Sequence, residues 1–127
     1  MDVLFLSSRI LYGGFFILGG INHFTHLEMM AGYAGFKGVP APKPAVIASG
    51  LLIMAGGLSL VLGAWPTYGV VCIGAFLIPV TLMMHTFWSD TDPQMKLNNR
   101  VNFQKNVALL GAALAFLFVP QPWPLSL

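Results

Sequence analysis

The sequence predicts an all-α protein, a transmembrane four-helix bundle forming a single membrane domain over residues 1–127. Three observations carry this. Residues of the AVILMFWYC set make up 57% of the chain and charged residues only 8%, against about 45–50% and about 25% in a soluble domain. Six Lys and Arg with four Asp and Glu are too few to cover the surface of a water-soluble chain of this size. The charges are also clustered, and residues 44–89 carry none. That window holds two helices of about 20 residues joined by a tight turn.

The same figures exclude disorder and argue against a nucleic-acid partner, because phosphate contacts need many more cations than this. Cys72 is the single cysteine, so neither an intramolecular disulfide nor a cysteine-based metal site is expected. The partners expected from composition are membrane lipids.

Four spans are read, at about 3–24, 45–64, 67–86 and 102–119. Each is expected to be helical, since lipid offers backbone groups no water. The turn between the second and third is Gly63-Ala64-Trp65-Pro66-Thr67, with Pro66 suited to a first helical turn. Pro40, Pro42 and Pro44 precede the second span, Pro120, Pro122 and Pro124 end the fourth, and Pro79 is expected to bend the third. Trp65, Trp88 and Trp123 lie near span ends and read as interface anchors. The first span lacks a basic leader and a small-residue cleavage site, so it is expected to be retained.

Four spans place both termini on one side and the 25–44 and 87–101 loops on the other. Lys37, Lys43, Lys96, Arg100 and Lys105 gather on the loop side. The excess of cations there predicts cytoplasmic loops and external termini, a multi-pass arrangement in the cell (inner) membrane.

Helix faces follow from three- and four-residue spacing. Arg9, Gly13, Phe16, Gly20 and His23 share one face of the first span. Gly74, Ile78, Thr81 and His85 share one face of the third, and Asn102, Asn106, Leu109 and Ala113 one of the fourth. Small residues that let helices approach in lipid are sought at Ala55, Ser59 and Gly63, and at Ala108, Gly111, Ala112 and Ala115.

Ionisable groups inside a membrane are candidate functional residues. Arg9 lies inside the first span, where it either caps nearby carbonyls or snorkels, or anchors an anionic or carbonyl group. His23 and His26 end the first span and His85 the third, at the same face as Asn102, Lys105 and Asn106. These six residues are expected to ring one mouth of the bundle. Imidazole ligates haem and metals and hydrogen-bonds a quinone carbonyl. The readings left open are interfacial histidines bonded to loop backbone, a quinone or other ligand, and a haem. No metal site is expected, because no acid or cysteine completes a ligand set. Asn106 reads as glue between helices, and Cys72 and the methionines as apolar filler. No nucleophile elbow, phosphate loop or carboxylate pair supports a hydrolytic or nucleotide-dependent enzyme, and no catalytic residue is assigned.

The pattern resembles the DoxX family of small four-helix membrane proteins. The resemblance rests on Arg9 with Gly13-Gly14, Gly19-Gly20 and His23-Phe24, on Gly38-Val39-Pro40, and on the glycines from Gly50 through Gly56-Gly57 to Gly63. It continues in His85-Thr86-Phe87-Trp88, Asp92-Pro93, Leu110-Gly111 and, as its most specific part, Asn102-Phe103-Gln104-Lys105-Asn106. Many members carry a Glu three residues before the paired glycines, where this chain has Ile53. Members are linked to redox work at membranes, including a subunit of thiosulfate:quinone oxidoreductase. The resemblance therefore implies a small, non-catalytic subunit or accessory of a membrane redox complex, with partner membrane subunits or a second copy of itself. It also implies one wall of a quinone or lipid pocket near Arg9 or the histidines. Two other classes remain. An oligomeric small-molecule or ion permease needs a continuous polar path, which the apolar middles of the spans disfavour. A membrane enzyme on a lipophilic substrate would use His85 or His23 as general base.

Overall fold

The computed structural model describes residues 1–127. The chain is all-helical, with α1 at Asp2–Thr25, α2 at Leu27–Phe36, α3 at Pro42–Leu62, α4 at Pro66–Met84 and α5 at Pro93–Phe116. A 3-10 turn, Phe87–Ser89, stands between α4 and α5.

Proline opens α3, α4 and α5 within their first turn, where a missing N–H leaves no bond unmade. Gly63 ends α3 in the left-handed region at φ 72°, which lets the Ala64 N–H return to the Ser59 carbonyl. The turn into α4 is thereby fixed. Pro79 lies inside α4, which remains one continuous helix.

The helix count differs from the four-helix expectation. The 25–44 segment is not an open loop but contains α2, whose Ala31 and Ala34 pack on Val46 at the start of α3. The last helix starts nine positions before residue 102, at Pro93. Asp92 caps it by accepting from the Met95 N–H at 2.9 Å. Three helices are long and apolar enough to cross a membrane: α1, α3 and α4 with its extension to Ser89. The apolar part of α5 is shorter, running from Val107 to Phe116.

The seam between α1 and α3 organises the packing. The buried residues of α1 are Arg9, Gly13, Phe16, Gly20 and His23, the face expected from spacing. A Cβ at Gly13 would stand 2.6 Å from the Gly57 carbonyl oxygen, and one at Gly20 2.8 Å from that of Gly50. Only hydrogen fits at these crossings, so the backbones touch over several turns. On its other side α3 meets α4 through Gly56, Ser59 and Gly69. Of the expected stripe, Ser59 meets Gly69 and Gly63 meets Arg9 and Ser126, while Ala55 is exposed and the crossing with α1 falls instead at Gly50 and Gly57, because α3 must serve two neighbours at once. Ile53 is 2% exposed and belongs to the core with Phe16, Leu60, Val70, Ile73 and Leu77.

α5 packs on α4 with Asn99, Asn106 and Ala113 inward. Toward α1 it makes side-chain contacts only: the Tyr12 hydroxyl donates to the Leu109 carbonyl, and the Phe5 ring lies 6.3 Å from that of Phe116. Ala108, Gly111, Ala112 and Ala115 are all exposed, so the small-residue face of α5 joins no helix of this chain. The ring of helices is open between α1 and α5.

Substitution at the two kinds of glycine separates these roles. Gly57→Leu should lower stability in detergent by about 3 kcal/mol, by forcing α1 off α3. Gly111→Leu, with nothing within 4 Å of its would-be Cβ, should be neutral or gain up to about 1 kcal/mol of helix propensity. Thermal unfolding followed by circular dichroism reads both.

Candidate functional site

At the terminal end of the bundle, Arg9 is fully buried. Its Nε donates to the Leu60 carbonyl at 3.0 Å, one terminal nitrogen to Val61 at 2.8 Å, and the other to Pro124 at 2.6 Å. The rings of Phe5 and Trp123 each stand 5.5 Å from the guanidinium carbon. The end of α3 leaves carbonyls without helical partners, and the prolines after residue 119 cannot continue a helix. Arg9 satisfies both sets and draws the C-terminal segment back over the bundle, where the Leu127 N–H also reaches the Leu62 carbonyl. Trp123 accordingly is no interface anchor: it is 3% exposed and its indole N–H donates to Val119. Trp65 and Trp88 are exposed, as an interface position requires. Arg9 lies at the opposite end from the histidines and caps carbonyls.

At the loop end, a second polar network joins α2, α4 and α5. The Lys37 ammonium pairs with the Asp90 carboxylate at 2.5 Å, with both side chains about 95% buried, and donates to the Thr86 hydroxyl. The Asn99 amide donates to the other Asp90 oxygen at 2.7 Å and to the Tyr33 hydroxyl at 2.9 Å. His85 Nδ1 bonds the Asn99 side-chain oxygen at 3.2 Å, so Nδ1 carries the proton and Nε2 is left as an acceptor. The Asn99 amide and then the Lys37 ammonium hold the Asp90 carboxyl below its usual range.

The three histidines part company. His23 is buried, with Nδ1 donating to the Gly19 carbonyl at 2.7 Å and its ring edge-on to Phe76. His26 is exposed and bonds its neighbour Thr25. Only His85 faces a polar space. That space is a cleft of about 420 Å³ between α2 and the start of α5, lined by Tyr33, His85, Asp92, Gln94, Asn98, Asn99 and Asn102. No cluster of three His, Cys, Asp or Glu side chains forms that would hold a metal ion.

Lys105 stands apart from both networks. Its ammonium lies 5.5 Å over the ring of Phe15 and has no carboxylate partner, since the ion pairs are Lys37–Asp90 and Lys43–Glu28. Phe15 belongs to the wall of the open α1–α5 gap. This gap is an apolar groove of about 590 Å³ between Phe5, Leu11, Tyr12 and Phe15 on one side and Leu109, Ala112, Ala115 and Phe116 on the other. Asn106, next to Lys105, is 5% exposed and packs inward toward α4 without a side-chain hydrogen bond.

Of the residues read as candidates, the structure brings His85 and Asn102 into one cleft, sets Lys105 at the end of a groove, and separates Arg9, His23 and His26 from them. Tyr33, Lys37, Asp90 and Asn99 were missed. Their pairing joins segments far apart in the chain, and the one local sign was the Asp92-Pro93 helix start, which moves Asn99 onto a buried helix face.

The depressed Asp90 carboxyl makes a pH prediction. A folded-state pKa below the unfolded one contributes stability above about pH 4, lost as pH falls through the folded value. Lys37→Met removes a cause of the depression, so its acid unfolding in detergent should move to higher pH than wild type, while Asp90→Asn should flatten the acid limb.

The DoxX family model matches residues 4–86, more than half of the chain. No curated protein and no solved structure matches it. The matched region holds α1 to α4, including the Arg9 and glycine pattern, His23 and His85, and ends before the Asn102–Asn106 segment that the resemblance weighted most. With three helices long and apolar enough to cross a bilayer and this match, the chain is a membrane protein and belongs to the DoxX family.

Proposed function

We propose that this protein is a non-catalytic small subunit or accessory of a redox complex in the cell (inner) membrane, and that its α1–α5 side forms one wall of a pocket for a quinone or lipid. The observation that carries this is the open groove. α3 packs closely on both α1 and α4, and α5 on α4, whereas α1 and α5 leave an apolar channel, and apolar concave surfaces of a few hundred Å³ are where ligands bind. The strongest ionic interactions hold the fold: Arg9 with its carbonyls and Lys37 with Asp90. Such a division suits a subunit that lends surface to a partner. α5 serves as the fourth crossing in this reading, with its exposed small face against a partner helix, the loops cytoplasmic and the termini outside.

Affinity purification in a mild detergent tests it. A membrane subunit should co-purify at constant stoichiometry and be lost from Gly111→Trp, which blocks the small face. Recovery of a monodisperse, single-chain species from wild-type membranes would contradict the assignment.

A further inference from the structure

The polar cleft and the apolar groove are two ends of one track. Asn98, Asn102, Lys105, Leu109, Ala112 and Phe116 follow each other at three- and four-residue steps, so they form one line down α5. The upper members line the cleft beside His85. The lower members line the groove. Lys105 stands at the junction. The order along the helix is amides, then a cation, then hydrocarbon.

The depth of the junction matches this order. The apolar part of α5, Val107 to Phe116, is about 15 Å long at 1.5 Å per residue, short of a hydrocarbon core of about 30 Å. Lys105 is the last charged side chain on α5 before that apolar stretch. An exposed ammonium there, with one side on an aromatic ring and no carboxylate partner, has N–H donors free for an anion. Lysine meets phosphate as a compact point charge.

We propose that this track binds one anionic phospholipid with an uncharged, hydroxyl-bearing headgroup. An acyl chain lies in the α1–α5 groove, the phosphate sits on Lys105, and the headgroup enters the cleft. Asn98 and Asn102 offer the headgroup donors and acceptors, and His85 Nε2 accepts from a hydroxyl. Asp92 at the cleft rim disfavours a headgroup carrying further negative charge. A neutral quinone would fill the groove but leave the ammonium uncompensated. The assignment rests on the pocket wall proposed above and names its occupant.

Native mass spectrometry of the full chain, delipidated in detergent and titrated with phosphatidylglycerol or phosphatidylcholine of the same acyl chains, tests it. Wild type should retain one phosphatidylglycerol at least tenfold more tightly than phosphatidylcholine. Lys105→Met should bring the two lipids to equal affinity, Lys105→Arg should keep the preference, and Lys43→Met, at an exposed pair with Glu28, should change nothing. Ala112→Phe, which fills the groove, should weaken both lipids together. Equal retention of the two lipids by wild type, a preference that survives Lys105→Met, or displacement of phosphatidylglycerol by an equal concentration of decylubiquinone would overturn the proposal. Partner recovery is read separately, so a lipid result leaves the subunit assignment open to its own test.

Discussion

Lipid gives a buried polar group no water to fall back on, and the whole structure follows from meeting that constraint within one chain. Arg9 shows the solution at one end. The last turn of α3 and the proline-broken segment after α5 both leave carbonyls without helical donors, and a single guanidinium serves both. Lys37, Asp90, Asn99 and Tyr33 do the same at the loop end. Every side-chain nitrogen and oxygen fully shut off from solvent has a partner, and the slightly exposed Asn106 packs inward without a side-chain hydrogen bond. Between the two ends, the glycines of α1 and α3 supply the contact that apolar side chains cannot supply against an equally apolar solvent.

That division explains what the sequence made legible. Periodicity found the α1 face in full, because α1 has one main neighbour and its polar and small residues must all turn toward it. The α3 face is legible only in part, at Ser59 and Gly63 but not at Ala55, because α3 lies between α1 and α4 and a helix with two neighbours has no single stripe. The helix α2 was hidden by its place between charged residues and a proline cluster, since its ten residues fall well short of the length of a span. The early start of α5 was written in Asp92-Pro93, a cap followed by proline, but the polar composition of residues 93–106 pointed away from a helix in lipid.

The candidate site divided along the same line. Equal depth in the membrane was expected to gather His23, His26 and His85, yet depth says nothing about direction around the helix. His23 turns inward onto Phe76, His26 outward, and His85 toward Asn99. Trp123 failed as an anchor for a reason no local pattern holds, the demand of Arg9 for aromatic cover. Lys105 was seen as one of a ring, and it emerges as the lone cation between a polar cleft and an apolar groove. Ile53 is a core side chain that packs with Phe16, Leu60 and Ile73.

The central physical claim is that the ion pair Lys37–Asp90 and the tail held by Arg9 lie on opposite sides of one bilayer. Single cysteines introduced at Gly38, Thr91 and Gln121 in a Cys72→Ala background, labelled with a membrane-impermeant maleimide from each side of sealed vesicles, measure this directly. Positions 38 and 91 should label together from one side and position 121 only from the other. Labelling of 38 and 91 from opposite sides, or of 121 from the same side as 38, would contradict it.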